Sequence, residues 1–204
     1  MQIAATENTI YTSPDASKIF CYTPSIIVTP TGRLIVSFDL GGEGVKSIEG
    51  HKSSRAGGSR FGQGKIFISD DNGQKWTFVQ NFPFWHARLF TIGNSIYLIG
   101  HAGDICIMKS EDNGESWSDT YFLTHGEKWH SSACNVLFSN GNVYLAMEQR
   151  CRLNEVTGWD VAGLSPTLFR ACVEDNLCLA SSWSRSEKFI YCLLYTSDAA
   201  DDLI

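Results

Sequence analysis

One eight-residue stretch occurs twice. It reads Ser-Asp-Asp-Asn-Gly-Gln-Lys-Trp at Ser69–Trp76 and Ser-Glu-Asp-Asn-Gly-Glu-Ser-Trp at Ser110–Trp117, 41 residues apart. Such self-similarity marks a structural unit that cannot bury its own apolar face and must stack on a neighbour. Each residue type suits a tight turn. Asp accepts backbone N–H bonds, Gly supplies positive φ, and Trp offers a broad packing surface. A calcium-loop reading of the Asp-Asn-Gly run fails, because the spaced carboxylates and terminal Glu of such a loop are missing.

Around these turns the chain reads as strands. Pro24–Asp39, Ala87–Gly100 and Cys134–Glu148 each show two β-branched or alternating runs about a Gly-containing turn. The third turn, Asn140-Gly141, is a strong hairpin dipeptide. A third strand follows the first two hairpins, at Gly64–Ile68 and Asp104–Lys109, and leads into the repeated stretch and then a fourth strand. Thr167–Asp175 and Ser182–Tyr191 are the matching candidates in the third repeat, without a clear copy of the turn between them. The predicted fold is therefore all-β: four antiparallel strands, A to D, written about three times. A four-stranded meander repeated radially is a blade of a β-propeller, which closes with about 4–8 blades. Residues 21–191 are expected to form a partial propeller, with residues 1–20 as a lead-in or closing strand.

Composition narrows the function. The chain has 204 residues, a net charge of −6 and no Lys/Arg cluster, which argues against nucleic acid as partner. No run of about 18 apolar residues exists to span a membrane as a helix. No signal peptide is visible at the start. The seven cysteines are odd in number and form no Cys-x-x-Cys pair, so neither a zinc site nor a disulfide framework is indicated. They read as small buried hydrophobes of a reducing compartment; the compartment is otherwise unassigned. No metal and no cofactor are expected, and the oligomeric state is left open. The last residues, 192–204, are expected to be artefact, because Cys192–Asp201 resembles a sequencing adapter translated in frame.

The pattern Ser-x-Asp-x-Gly-x-x-Trp resembles the Asp box of sialidase-like (BNR-repeat) β-propellers. Ser69, Asp71, Gly73 and Trp76 match in one copy and Ser110, Asp112, Gly114 and Trp117 in the other. The resemblance implies a six-bladed propeller in which these residues are a fold device away from the active site. Sialidases open their first blade with Phe-Arg-Ile-Pro, and its Arg holds the substrate carboxylate. Here the stretch is Cys-Tyr-Thr-Pro, with Tyr22 where the Arg would be. Gly41 stands where a second Arg is expected, and Asp39, Glu43 and Glu49 are the acids nearby.

A meander puts its A–B and C–D turns on one face and its B–C and D–A loops on the other. The unusual polar residues gather on the second face: Asp39, the His86/Arg88 pair, His101 and Asp104, Trp129 and His130, and Glu148 and Arg150. Asp39, Asp104 and Glu148 are the candidate catalytic carboxyls. His86, Arg88, His101, Trp129, His130 and Arg150 are the candidate substrate-binding residues. Singly, a histidine at a strand end is more often structural, and Trp85 and Trp129 suit blade packing as well as sugar stacking. With the resemblance, the cluster implies an exo-acting glycoside hydrolase on terminal sugars, acidic ones included, with a glycan or glycoconjugate as partner. The alternatives are a non-catalytic glycan-binding or interaction propeller, or a purely structural channel lining.

Overall fold

A computed structural model describes residues 8–54, 61–130, 136–151 and 163–188. The adapter-like stretch 192–204 lies outside the described residues. Among the described residues, fourteen strands fall into three antiparallel sheets. The first joins β1 (Phe20–Val28), β2 (Leu34–Gly41), β4 (Phe61–Ser69) and β5 (Thr77–Phe82), with the two-residue β3 (Ser53–Ser54) paired to β4. The second joins β6 (Trp85–Ile92), β7 (Ser95–Ala102), β8 (Asp104–Ser110) and β9 (Tyr121–Phe122). In the third, β10 (Trp129–His130) and β11 (Leu137–Ser139) both pair with β12 (Asn142–Arg150), followed by β13 (Leu164–Cys172) and β14 (Ser184–Arg185). The four-strand unit predicted from the repeats is thus observed three times. The third repeat's A strand comes in two described pieces.

Side-chain alternation explains why the sheets stack. Along β7, Ile96 and Leu98, with Leu89 of the adjacent β6, join a core with Ile35, Ile66 and Phe82 of the first sheet. The residues between them, Tyr97 and Ile99, join a core with Val143, Leu145, Met147 and Phe169 of the third. A strand shows successive side chains to opposite faces, so one strand serves two interfaces. The outer face of the first sheet carries Val36, Phe38 and Phe67 and is covered by Ile10, Tyr11, Ile19 and the 3₁₀ turn Glu43–Ser47. Residues 8–19 contain no strand; they cap the first sheet.

The two repeated turns have the same bonding. Ser69 Oγ donates to Asp71 Oδ1 (2.9 Å) and accepts the Gly73 N–H (2.9 Å), while Asp71 Oδ1 accepts the Lys75 N–H (2.8 Å). In the second copy Ser110 Oγ donates to Asp112 Oδ1 (2.8 Å) and accepts the Gly114 N–H (2.9 Å), and Asp112 Oδ1 accepts the Ser116 N–H (2.9 Å). Asn72 and Gly73, like Asn113 and Gly114, lie in the left-handed region. The Lys75 N–H holds the Asp71 carboxyl below its ordinary pKa. Burial pushes Asp112 up, but the bonds from Ser116 and Ser110 outweigh it and the net shift is also downward. The copies differ at their tryptophans: the Trp76 indole N–H donates to the Gly73 carbonyl (3.1 Å), whereas the Trp117 N–H has no partner among the described residues.

These turns also join the sheets. Arg33, in the β1–β2 turn, grips Asp70 with Nε (2.6 Å) and NH2 (2.9 Å). Its NH1 reaches the Asn113 carbonyl (3.1 Å) and Glu115 (3.3 Å) of the second turn. Asn113 Nδ2 donates to Thr31 Oγ1 at 2.9 Å. The guanidinium side chain is only 13% exposed, so this bidentate pair is stronger than an open surface contact.

Gly114 has φ +86°, and a Cβ there would sit 2.4 Å from Ile35 Cδ1 of the neighbouring sheet. Gly114→Ala is expected to cost about 3 kcal/mol, adding overpacking to backbone strain. Gly141→Ala, at φ +71° with nothing within 4 Å, should cost about 1 kcal/mol. Urea unfolding of the two variants checks this; equal losses would mean that the Gly114 contact does not hold the sheets together.

Candidate functional site

The A strands of the first two sheets carry the same irregularity. Pairing of β1 with β2 shifts between Tyr22 and Ser25, and pairing of β6 with β7 shifts between Trp85 and Arg88. In each bulge the residue after the aromatic is left-handed: Thr23 at φ 48° and His86 at φ 53°. Left-handed φ in a non-glycine residue costs of order 1 kcal/mol and persists where its surroundings enforce it. A bulge re-aims a side chain, and here both turn onto the B strand of their own sheet. Thr23 Oγ1 donates to Asp39 Oδ1 at 2.7 Å, and His86 Nδ1 meets His101 Nε2 at 3.0 Å. The third sheet repeats the pairing: His130 Nδ1 meets Glu148 Oε2 at 2.8 Å.

Three polar dyads therefore stand at one end of the stacked sheets, and they touch. Asp39 Oδ1 accepts the His86 backbone N–H (3.2 Å), which ties the first dyad to the second and fixes the His86 bulge. The His86 and His130 rings are 4.8 Å apart and the His101 and His130 rings 5.8 Å, which ties the second to the third. Accessibility rises along the series. Asp39 and His101 are buried, whereas the Glu148 side chain is 29% exposed.

Asp39 has the most perturbed carboxyl. Burial is the main cause, raising its pKa to about 7. The Thr23 hydroxyl, the His86 N–H and the Arg88 charge pull the other way without winning. Both donors fall on Oδ1; Oδ2 is buried with no partner among the described residues, so half of the charged form would go unsolvated.

The other predicted residues have different surroundings. Arg88 is 8% exposed, and its NH1 donates to the carbonyls of Ala87 (3.0 Å), Thr23 (3.4 Å) and Pro24 (3.5 Å). It braces the first bulge instead of facing outward. Trp129 is buried, with its indole N–H on Glu127 Oε2 (2.9 Å) and its ring edge-on to Phe169. Trp85 is buried too, against Gly62, where any Cβ would overlap the indole. Of the two readings for these tryptophans, the structure supports packing and leaves no open stacking platform. Asp104 follows the one-residue turn at Gly103 and accepts bonds from Thr124 Oγ1 (2.9 Å), the Gly126 N–H (2.9 Å) and the Glu127 N–H (3.0 Å). Its carboxylate is thus held by the 124–127 loop. The Arg150 backbone N–H donates to the Lys128 carbonyl at 2.7 Å, beside the third dyad.

Thr23, which was not among the sequence candidates, joins the cluster through its bond to Asp39. A signal for it existed. Tyr22-Thr23, Trp85-His86 and Trp129-His130 are the same aromatic-polar dipeptide at the start of three successive A strands. Among the described residues no group of three or more His, Cys, Asp or Glu is arranged to hold a metal. One nitrogen each of His86 and His101 is used in their mutual bond, and Nδ1 of His130 in the bond to Glu148.

No protein-family model matches the sequence. No curated protein is significantly similar to it. Solved structures do share its fold. An alpha-L-arabinanase from Penicillium chrysogenum, complexed with arabinobiose, superposes with a TM-score of 0.57 at 14% identity, over 90% of this chain and 54% of that one. An alpha-L-arabinofuranosidase from Lactobacillus brevis gives 0.58 at 14% identity, over 89% and 60%. An ulvan lyase of polysaccharide lyase family PL25, bound to -[GlcA(1-4)Rha3S]-, gives 0.53 at 15% identity, over 83% and 42%. These are β-propellers, and the present chain is built as they are, from antiparallel four-stranded sheets. The chain spans about half the length of these structures.

The Asp39 shift has a signed consequence. A carboxyl raised from 3.8 to about 7 in the folded state favours folding at low pH, and that contribution is lost as pH rises from about 4 to 7. Asp39→Asn keeps an oxygen for Thr23 and His86 but cannot ionise. Relative to wild type, its stability should improve across this window, by on the order of 4 kcal/mol at full effect. Urea melts of both proteins between about pH 4 and 8 test this; parallel pH profiles would remove the buried-carboxyl assignment.

Proposed function

We propose that this chain belongs to a carbohydrate-active β-propeller that hydrolyses terminal glycosidic bonds, with Glu148 and Asp39 as its two carboxyl groups. One observation carries the reading: the three dyads Thr23–Asp39, His86–His101 and His130–Glu148 meet at the same end of the sheets. Glycoside hydrolysis needs two carboxyls in different protonation states. Asp39 stays protonated to about pH 7, while Glu148 stands at the accessible end, on the His130 ring. Glu148 is the group that contacts substrate. Asp39 is the proton-bearing partner behind it, and His86, His101 and His130 orient the two. Arg150 is the cation for an acidic sugar, and Asp104 supports the site by holding the neighbouring loop.

The finer reading is a sialidase-like, six-bladed propeller. The two Ser-x-Asp-x-Gly-x-x-Trp turns and their matching Ser, Asp and Gly bonds support it. Tyr22 in place of an arginine, and Arg88 spent on main-chain carbonyls, weigh against a sialic-acid carboxylate clamp. The similar structures bind arabinobiose and a glucuronate-containing saccharide, which makes arabinosides and uronosides equally worth assaying. A second reading, a glycan-binding propeller without catalysis, is favoured by the burial of Asp39 at 1% exposure.

The test uses 4-nitrophenyl glycosides of arabinose, uronic acids and sialic acid with the full product of the gene. Glu148→Gln and Asp39→Asn should each lower kcat/KM by about 10²–10⁴-fold. The wild-type rate should fall above about pH 7 as Asp39 ionises. Wild-type turnover by both variants would sink the hydrolase assignment. Glycan binding by calorimetry without turnover of any glycoside would establish the second reading instead.

A further inference from the structure

A cavity of about 290 Å³ lies between the second and third sheets. It opens beside β9 and β14, the two-residue strands that end those sheets, and none of the dyad residues lines it. Its apolar lining is Leu123 and Phe169, both buried, and Trp183, half-buried against the same core. The Trp183 indole N–H is fixed on the Leu177 carbonyl at 2.9 Å. Arg185, Glu127 and His125 supply the polar lining.

The Arg185–Glu127 pair is held in place by its neighbours. Glu127 Oε2 accepts the Trp129 indole N–H (2.9 Å), and the Glu127 backbone N–H donates to Asp104 Oδ1 (3.0 Å). Arg185 commits one nitrogen to the pair: NH1 donates to Glu127 Oε1 (2.9 Å) and Oε2 (3.0 Å). Nε and NH2, the two-pronged edge of the guanidinium, bond no group among the described residues.

The molecule shows elsewhere what that edge takes. Arg33 holds Glu115 with NH1, while its Nε and NH2 grip the Asp70 carboxylate at 2.6 and 2.9 Å. One guanidinium thus carries two carboxylates in this fold. Arg185 has the first, on NH1, and its other edge is open. Its side chain is 45% exposed, so a ligand can reach it.

We infer that this cavity binds a single uronate unit, with the sugar carboxylate on the Nε/NH2 edge of Arg185 and the ring against Trp183. The planar fork of a guanidinium matches a carboxylate bidentately. Aromatic and apolar walls with a few placed polar groups are the usual make-up of a small-ligand site, and at about 290 Å³ this one is at the small end, the size for one sugar ring. His125 and Glu127 Oε1 are there for ring hydroxyls. A neutral sugar would leave the fork empty, and an aromatic acid would leave His125 and Glu127 unused. Glu127 fixes Arg185 before any ligand arrives, which lowers the ordering cost of binding. The inference rests on the cavity's own chemistry and holds whether or not Glu148 and Asp39 are catalytic.

The test is an NMR titration of the ¹⁵N-labelled protein with methyl glucuronide, methyl glucoside and phenylacetate, read at the Trp183 indole and Arg185 Nε–H signals. Methyl glucuronide should give saturable shifts at both, and the other two should bind about tenfold more weakly. Arg185→Lys, which keeps the charge and removes the fork, should weaken methyl glucuronide binding by about tenfold at the Trp183 signal, and Arg185→Gln should abolish it. Glu148→Gln should leave the shifts as they are, which separates this cavity from the dyads. Equal binding of the glucoside or of phenylacetate, undiminished binding by Arg185→Lys, loss of the shifts in Glu148→Gln, or no saturable shift with methyl glucuronide would overturn the proposal.

Discussion

A four-stranded antiparallel sheet with apolar side chains on both faces is stable only between neighbours, and everything else in this molecule follows from that requirement. The alternation along β7 meets it: Ile96 and Leu98 complete one core while Tyr97 and Ile99 complete the next. The first sheet meets it with a cap, Tyr11 lying against Phe38 and Phe67. Polar devices then set how the sheets are clamped. Arg33 and the seating of Gly114 on Ile35 close one end of the first junction, and the Asp39–His86 bond closes the other. Stacking thus forces the polar strand ends of different sheets together, and a site built from three separate segments results.

The electrostatics of that site follow from depth. Asp39, deep between sheets, keeps its proton because water is excluded and one oxygen has no donor. Glu148, of the same chemical class, lies where solvent still reaches it, with an imidazole alongside. The repeated backbone gives the two carboxyls equivalent stations, and burial makes them chemically different. A carboxyl that keeps its proton to about pH 7 is raw material for acid–base chemistry.

Much of this could be read from residues alone. The Ser-x-Asp-x-Gly-x-x-Trp copies, the Gly93 and Asn140-Gly141 hairpins and the period-2 alternation were sufficient for the strands and their repeat, because local chemistry dictates them. The gathering of His86, His101, His130 and Glu148 followed from meander geometry. What stayed hidden depends on side-chain direction and on neighbours distant in sequence. Trp129 looks the same in sequence whether its ring meets solvent or Phe169. Arg88 looks like an anion clamp until the carbonyls of Thr23 and Pro24, some 65 residues earlier, come within reach of its guanidinium. Asp104 looks catalytic until the loop folds back and donates three bonds to it. Thr23 is hidden in the sequence behind its aromatic neighbour Tyr22, because only the bulge turns the residue after the aromatic toward Asp39.

That bulge separates two tasks that most sites combine in one residue. The backbone of the A strand, kinked at Thr23 and again at His86, decides where the side chain aims, and the side chain decides only what it carries there. Threonine and histidine occupy the same socket in successive sheets and find different partners, a carboxyl in one and an imidazole in the other. Each repeat is thus an interchangeable fitting. The chemistry at the mouth of the stack can be rewritten one residue at a time, with the scaffold that points each residue inward left as it is.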